Sequence, residues 1–267
     1  GEKAVYARSG EGGIIMWELY ERLIEPIPDD VPVDEIIVGT SCTMVRAGGA
    51  AGAAANQRLE SRPRILEEEE WERGMTWRQA ASLISSWNFL EAGIGAAAIN
   101  AYYNRESVLM DGIAAYEGVK ILESCDTFAA PGDAFSGKKV ATIGHFHYAE
   151  HYLEKAGELF VLEREPRQGD YPDTACEYIL PEMDYIYITG FTLVNKTLPR
   201  LLELSGNARV ILVGPSVPMA PALFEFGVKE LAGTLITDMA KTERYIRLGS
   251  HRAVVRYGIP VRAGYQI

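Results

Sequence analysis

Four short apolar runs, rich in β-branched residues, constrain the second half of the chain: 139–143, 159–162, 185–189 and 209–213. Each has the length of a strand, and stretches with helical spacing fall between them at about 148–156, 174–179 and 198–204. Strands that are apolar on both sides and joined by helical crossovers have one economical solution, a parallel sheet with both faces covered. A doubly wound parallel α/β domain is therefore expected after Gly137, with a short helix at 222–226 and a last short strand near 233–237.

The first half reads as α+β. An amphipathic stretch at 14–24 predicts a helix that Pro26 and Pro28 end. A buried strand is expected at 34–38, and an apolar stretch at 42–45 leads into a glycine- and alanine-rich run at 48–55. Glu67 to Glu70 form a charge run that suits a solvated helix end. Further helices are expected at 76–87, 90–103 and 113–125. The middle one carries Ala92, Gly93, Gly95, Ala96, Ala97 and Ala98, which permit close backbone approach. Small and breaking residues at Ala129-Ala130-Pro131-Gly132-Asp133 mark the boundary between two domains, 1–130 and 131–267.

Charge and cysteine usage narrow the class of partner. Across 267 residues, 26 Lys and Arg against 37 Asp and Glu give a net charge of −11. That disfavours nucleic acid, whose non-specific binding rests on clustered cations. No apolar run reaches the roughly 18–20 residues that cross a bilayer, and the polar start Gly1-Glu2-Lys3 lacks a secretory core, so no membrane association is expected. Cys42, Cys125 and Cys176 are far apart and form no CxxC pair, which suits a reduced, cytoplasmic protein. Lys241, Arg244, Arg247, Arg252, Arg256 and Arg262 leave a basic C-terminal tail on an acidic body. An intramolecular contact or a homo-oligomeric one would use that charge.

Two stretches carry a resemblance. One is Ser86-Trp87-Asn88-Phe89-Leu90-Glu91-Ala92-Gly93-Ile94-Gly95, continuing through Ala98-Ile99-Asn100-Ala101. The other is Thr189-Gly190-Phe191-Thr192-Leu193-Val194-Asn195-Lys196-Thr197, followed by Val213-Gly214-Pro215-Ser216 and Ala232-Gly233-Thr234. In this order, from about Ile14 to Asp238, the chain resembles the family described as heavy-metal chelation proteins, formerly a domain of unknown function. The resemblance implies a domain similar to the enolase N-terminal fold joined to a Rossmann-like domain, with a ligand or active site between them.

The residues themselves point to the turn after the first strand of the second domain, Gly144-His145-Phe146, because ligands of parallel sheets bind beyond the carboxyl ends of the strands. Only one glycine of a GxGxxG pattern is present, which argues against a dinucleotide. The same segment holds His147 and His151, four residues apart and on one face of a helix, with Glu150 beside them. With His145 they are the candidate ligands of a transition metal ion. The resemblance includes the Gly-His-Phe turn, and His147 and His151 depart from it. Glu163, 19 residues after Gly144, stands where a carboxylate would meet ribose hydroxyls, or is a solvent-facing acid. Thr189, Gly190, Thr192, Gly214 and Ser216 end or follow further strands and are candidate lining residues. Ser216 lacks a GxSxG elbow, which leaves a serine hydrolase without support. Asn88 and Glu91 are polar in apolar helical surroundings: Glu91 is either a functional acid or a buried anchor. The expected function is binding of a small anionic ligand or transition metal in the interdomain cleft. The alternative is an enzyme using a nucleotide-like cofactor such as S-adenosylmethionine.

Overall fold

Small residues shape the first unit. The computed structural model describes residues 10–56, 61–122, 128, 135–146, 153 and 155–266. After helix α1 (Gly10–Ile24), strands β1 (Val33–Val38), β2 (Cys42–Ala47) and β3 (Ala50–Ala55) form an antiparallel sheet in the order β1-β2-β3. Gly48 and Gly49, at φ +57° and +74°, make the two-residue turn between β2 and β3, a backbone that residues with a Cβ resist. Helices α2 (Glu68–Arg73), α3 (Trp77–Ser82), α4 (Phe89–Tyr103) and α5 (Glu106–Ala114) follow.

Helix α4 lies directly on β3. A Cβ added at Gly52 would come 2.0 Å from Ala101 N, and one added at Gly95 would come 2.0 Å from Ile84 N. The helix is thus wedged between β3 and the turn at Leu83–Ser85. Its residues 92–101 are all buried, so it is apolar nearly all round, as an interior helix must be.

The second sheet has eight strands, ordered β4-β11-β10-β9-β8-β5-β6-β7. They are β4 (Val119–Ile121), β5 (Lys139–Ile143), β6 (Glu158–Glu163), β7 (Tyr171–Pro172), β8 (Tyr185–Thr189), β9 (Arg209–Val213), β10 (Val228–Ile236) and β11 (Gly258–Tyr265). From β7 to β10 every pair is parallel. Counted along the chain from β5, these six strands run 3-2-1-4-5-6, the order of a doubly wound α/β sheet. Further helices among the described residues are α6 (Cys176–Ile179), α7 (Phe191–Val194), α8 (Leu198–Leu204), α9 (Met239–Arg247) and α10 (Ala253–Tyr257). Among the described residues no helix is long and apolar enough to cross a membrane.

Three expectations are corrected. The helix expected at 113–125 is instead α5, ending at Ala114, followed by β4. Gly118 at φ +81° breaks the helical path, and Val119 and Ile121 then pair with β11. The last strand is not a short one near 233–237: β10 has nine residues, and the antiparallel β11 follows and sits between β10 and β4. The basic C-terminal segment is no tail. Ile246, Ala253 and Val254 pack on Ile37, Met44, Ala51 and Ala53, so α9 and α10 cover the first sheet. Arg46 and Arg247 share Glu35 and Glu243, and Arg262 meets the buried Glu230 at 2.6 Å. Arg247 and Arg262 are thus paired within the chain. The boundary expected at 129–133 lies outside the described residues, as does most of the helix expected at 148–156.

Asn104, just beyond α4, ties the two sheets together. Its Nδ2 donates to Val217 O at 3.0 Å and Thr234 O at 3.1 Å, while its Oδ1 accepts from Met219 N at 2.8 Å. Tyr20 in α1 donates to Leu193 O at 3.0 Å, and one apolar cluster runs through both units.

Two glycines of α4 give opposite expectations. A Cβ at Gly93 meets nothing closer than 3.7 Å. Gly93→Ala should therefore gain up to about 1 kcal/mol in urea unfolding. Gly95→Ala should cost at least about 3 kcal/mol, because a backbone must move. Equal effects would contradict the wedge.

Candidate functional site

In a doubly wound sheet the crossovers from the central strands leave toward opposite faces, which opens a crevice at the carboxyl ends. Here the central pair is β5 and β8, and a cleft of ≈ 990 Å³ opens at those ends. Gly144, His145, Phe146, Glu163, Thr189 and Thr192 line it, so six of the residues singled out from sequence share one wall. Gly144 turns the chain at φ +104°. The first unit contributes Ala55 and Asn56, from the end of β3 and the residue after it.

His145 is held by two carboxylates. Its backbone N–H donates to Glu163 Oε2 at 3.1 Å, and Arg164 N–H donates to Glu163 Oε1 at 2.7 Å. Its ring Nδ1 lies 3.0 Å from Asp170 Oδ2. A carboxylate only accepts, so this contact places the imidazole proton on Nδ1. Desolvation works against the Asp170 carboxylate, but the Arg167 N–H and His145 outweigh it and hold Asp170 below the usual carboxylate range.

The other residues singled out from sequence have structural partners. Asn88 caps α4: its Oδ1 accepts from Leu90 N and Glu91 N at 3.0 and 3.2 Å, and its Nδ2 donates to Arg62 O at 2.6 Å. The fully buried Glu91 accepts from Ile65 N at 2.8 Å, Leu66 N at 3.0 Å and Ser86 Oγ at 2.6 Å. Neither lines the cleft; Ala55 and Asn56 face the sheet ends instead. Gly190 packs on the Ser216 backbone, where a Cβ would come within 2.7 Å. Ser216 Oγ accepts from Ala55 N at 2.8 Å, and Gly214 turns at φ +117°. These three support the cleft from behind. His147, His151 and Cys125 lie outside the described residues.

Among residues that the sequence reading did not single out, Asn56 and Lys196 line the cleft and Asp170 stands behind His145. Asp170 follows a glycine turn 25 residues beyond His145, with no local pattern to announce it. Asn56 is clamped by Thr43 and Gly39 O, both at 2.6 Å. Lys196 stands at φ +63°, and its Nζ donates to Ser86 O and Val194 O. Desolvation pushes its pKa down to about 8. The non-glycine left-handed backbone could not be read from the Asn-Lys-Thr triplet.

The donor set tests a metal role. Among the described residues no group of three or more His, Cys, Asp or Glu is arranged to hold a metal ion. Burial pushes the thiols of Cys42 and Cys176 up to about 11, so both are protonated at neutral pH. His145, backed by Asp170, fits a single ligand position.

A mixed α/β protein with its cleft at the strand-order switch is thereby defined. Two family profiles, each described as "Putative heavy-metal chelation", match residues 20–103 and 126–259, and the chain belongs to that family. An uncharacterised Methanocaldococcus jannaschii protein is 35% identical over 181 residues, 63% of this chain and 64% of the relative. The match thus spans just under two-thirds of that relative's length. A crystal structure of a protein of unknown function from the DUF364 family of Desulfitobacterium hafniense is 42% identical. It covers 92% of this chain and 98% of its own, with a TM-score of 0.81. A second, from Pyrococcus horikoshii, is 23% identical with a TM-score of 0.73 over 93% of this chain and 98% of its own, and shows the fold alone.

Glu91→Ala would leave the Ile65 and Leu66 N–H groups and the buried Ser86 hydroxyl without their acceptor. It should cost about 2 kcal/mol in urea unfolding at pH 7, chiefly from the stranded buried hydroxyl at 1–3 kcal/mol. A loss below about 1 kcal/mol would show that the carboxylate is not the anchor of residues 65–66.

Proposed function

We propose that the chain binds a small anionic, metal-chelating ligand in the switch-point cleft, with His145 as the protein's donor or acid–base group. The His145–Asp170 contact of 3.0 Å carries this reading. With the proton on Nδ1, Nε2 is the basic nitrogen of the neutral ring. A carboxylate behind a histidine is the arrangement that orients metal-ligating imidazoles, and it equally steadies a general base. The family description supports a metal role. Because one imidazole is a weak site alone, a metal held here takes further donors from the small molecule, with His147 and His151 as the chain's own candidates. Arg167 and Lys196 in the cleft wall favour an anion.

A second reading, a nucleotide-like cofactor such as S-adenosylmethionine, is favoured by one observation. Glu163 ends the second strand of a 3-2-1-4-5-6 sheet, where a carboxylate meets ribose hydroxyls. Its oxygens already accept two backbone N–H groups, yet each keeps acceptor capacity.

Calorimetric titration with Zn²⁺ or Ni²⁺, alone and with citrate as a model chelating anion, separates the readings. Micromolar binding is expected, lost in His145→Ala and weakened about 10–100-fold in Asp170→Asn. No binding, or binding indifferent to both substitutions, overturns the metal reading. Metal-independent binding of S-adenosylmethionine that Glu163→Gln weakens would establish the second.

A further inference from the structure

We infer that the anion bound in the cleft is amphipathic: its chelating head meets His145, and it carries an apolar tail that lies against Leu162, Phe191, Leu201 and Leu204. The inference rests on the His145 reading for the head and adds to it the chemical class of the ligand.

The cleft is larger than a chelated metal needs. Its ≈ 990 Å³ stands at the upper end of the roughly 300–1,000 Å³ of small-molecule sites. Gly144, His145, Thr189 and Thr192 line its head, at the carboxyl ends of β5 and β8. A second part of the wall comes from β6, α6, α7 and α8, which contribute Leu162, Cys176, Phe191, Leu201 and Leu204. Leu201 and Leu204 are three residues apart and share a face of α8. Arg200 of α8 pairs with Glu177 of α6, which sets the two helices side by side.

The two parts of the wall are continuous. Gly144 N–H donates to Leu162 O at 2.9 Å, and the next residue, Glu163, accepts from His145 N–H at 3.1 Å. Apolar surface therefore begins one residue from the group that fixes the histidine. On the other side Phe191 follows Thr189 by two residues, and its N–H donates to Thr189 Oγ1 at 3.4 Å.

Polar groups on the α6 and α8 side are already engaged. Every charged side chain of these two helices belongs to one network: Arg200 clasps Glu177 at 3.0 and 2.6 Å and reaches Glu203 at 2.9 Å. Arg164, just after β6, is paired with Asp173 at 3.0 Å. Thr197 Oγ1 donates to Asn195 Oδ1, and Thr192 Oγ1 to Thr189 O, both at 2.7 Å. The protonated Cys176 thiol packs as a small apolar group. What this side gives a ligand is apolar contact, and an alkyl chain leaving water for such a surface binds more tightly with each carbon added.

A homologous series of 2-hydroxy acids tests this by calorimetric titration, with and without Zn²⁺: lactate, 2-hydroxybutanoate, 2-hydroxyhexanoate and 2-hydroxyoctanoate. Affinity should rise about fourfold per added CH₂, equivalent to about 0.8 kcal/mol. Leu204→Ala and Phe191→Ala should each weaken 2-hydroxyoctanoate about tenfold and leave lactate and citrate unchanged. A flat series in the wild-type protein, no binding by any member, or a rise that neither substitution reduces overturns the inference. The wild-type series decides even where a variant fails to fold. A rising series that His145→Ala leaves unweakened would count against the His145 reading alone, and a flat series still abolished by His145→Ala against the tail alone.

Discussion

Backbone contact between α4 and β3 is the constraint on which the rest depends. Gly52 lets the helix main chain sit where a methyl group would lie 2.0 Å from Ala101 N. That approach sets the height of α4 over the first sheet, and hence where Asn104 emerges to hold Val217, Met219 and Thr234 of the second unit. It also sets where β3 ends, with Ala55 donating to Ser216 and Asn56 beside the strand ends of the second sheet. The cleft is therefore a product of glycine and alanine packing as much as of the residues that line it. Close packing transmits such constraints because interiors have few voids to absorb a displacement.

Within this frame the cleft concentrates groups that are costly elsewhere. A histidine is held against a carboxylate, a lysine is desolvated without a counter-charge, and its backbone is left-handed. Glu163 accepts from the main-chain N–H groups of His145 and Arg164, and the carbonyls of Ser86 and Val194 accept from Lys196 Nζ, which holds these segments in place. The surrounding core is continuous from α1 to β11, so local strain is opposed by the whole molecule. The stabilising and the functional parts are spatially separate: Glu91 and Asn88 fasten residues 62–66, while His145 and Lys196 face the cleft.

Sequence alone located the parallel strands well, because 139–143, 185–189 and 209–213 are short apolar runs buried on both sides. It failed where tertiary pairing overrides local pattern. β4 is an edge strand whose partner β11 lies over a hundred residues away, and β11 carries Pro260 and Gly264 that local rules count against it. The basic charge near the C-terminus was legible, but its partners Glu35 and Glu230 were not, since pairing across sheets leaves no spacing signal. At the site, His145 and Glu163 could be placed because strand ends are predictable from strands. Asp170 and Lys196 could not, because a turn glycine and a left-handed lysine acquire meaning only when the crevice forms around them.

The central claim is that a carboxylate-backed His145 in the switch-point cleft is the protein's ligand-binding group. Anomalous diffraction from crystals soaked in Zn²⁺ with citrate would test it most directly. The account predicts one dominant metal peak within coordination distance of the His145 imidazole, with citrate oxygens completing the shell. A dominant peak elsewhere, with the cleft holding neither metal nor anion, would contradict it.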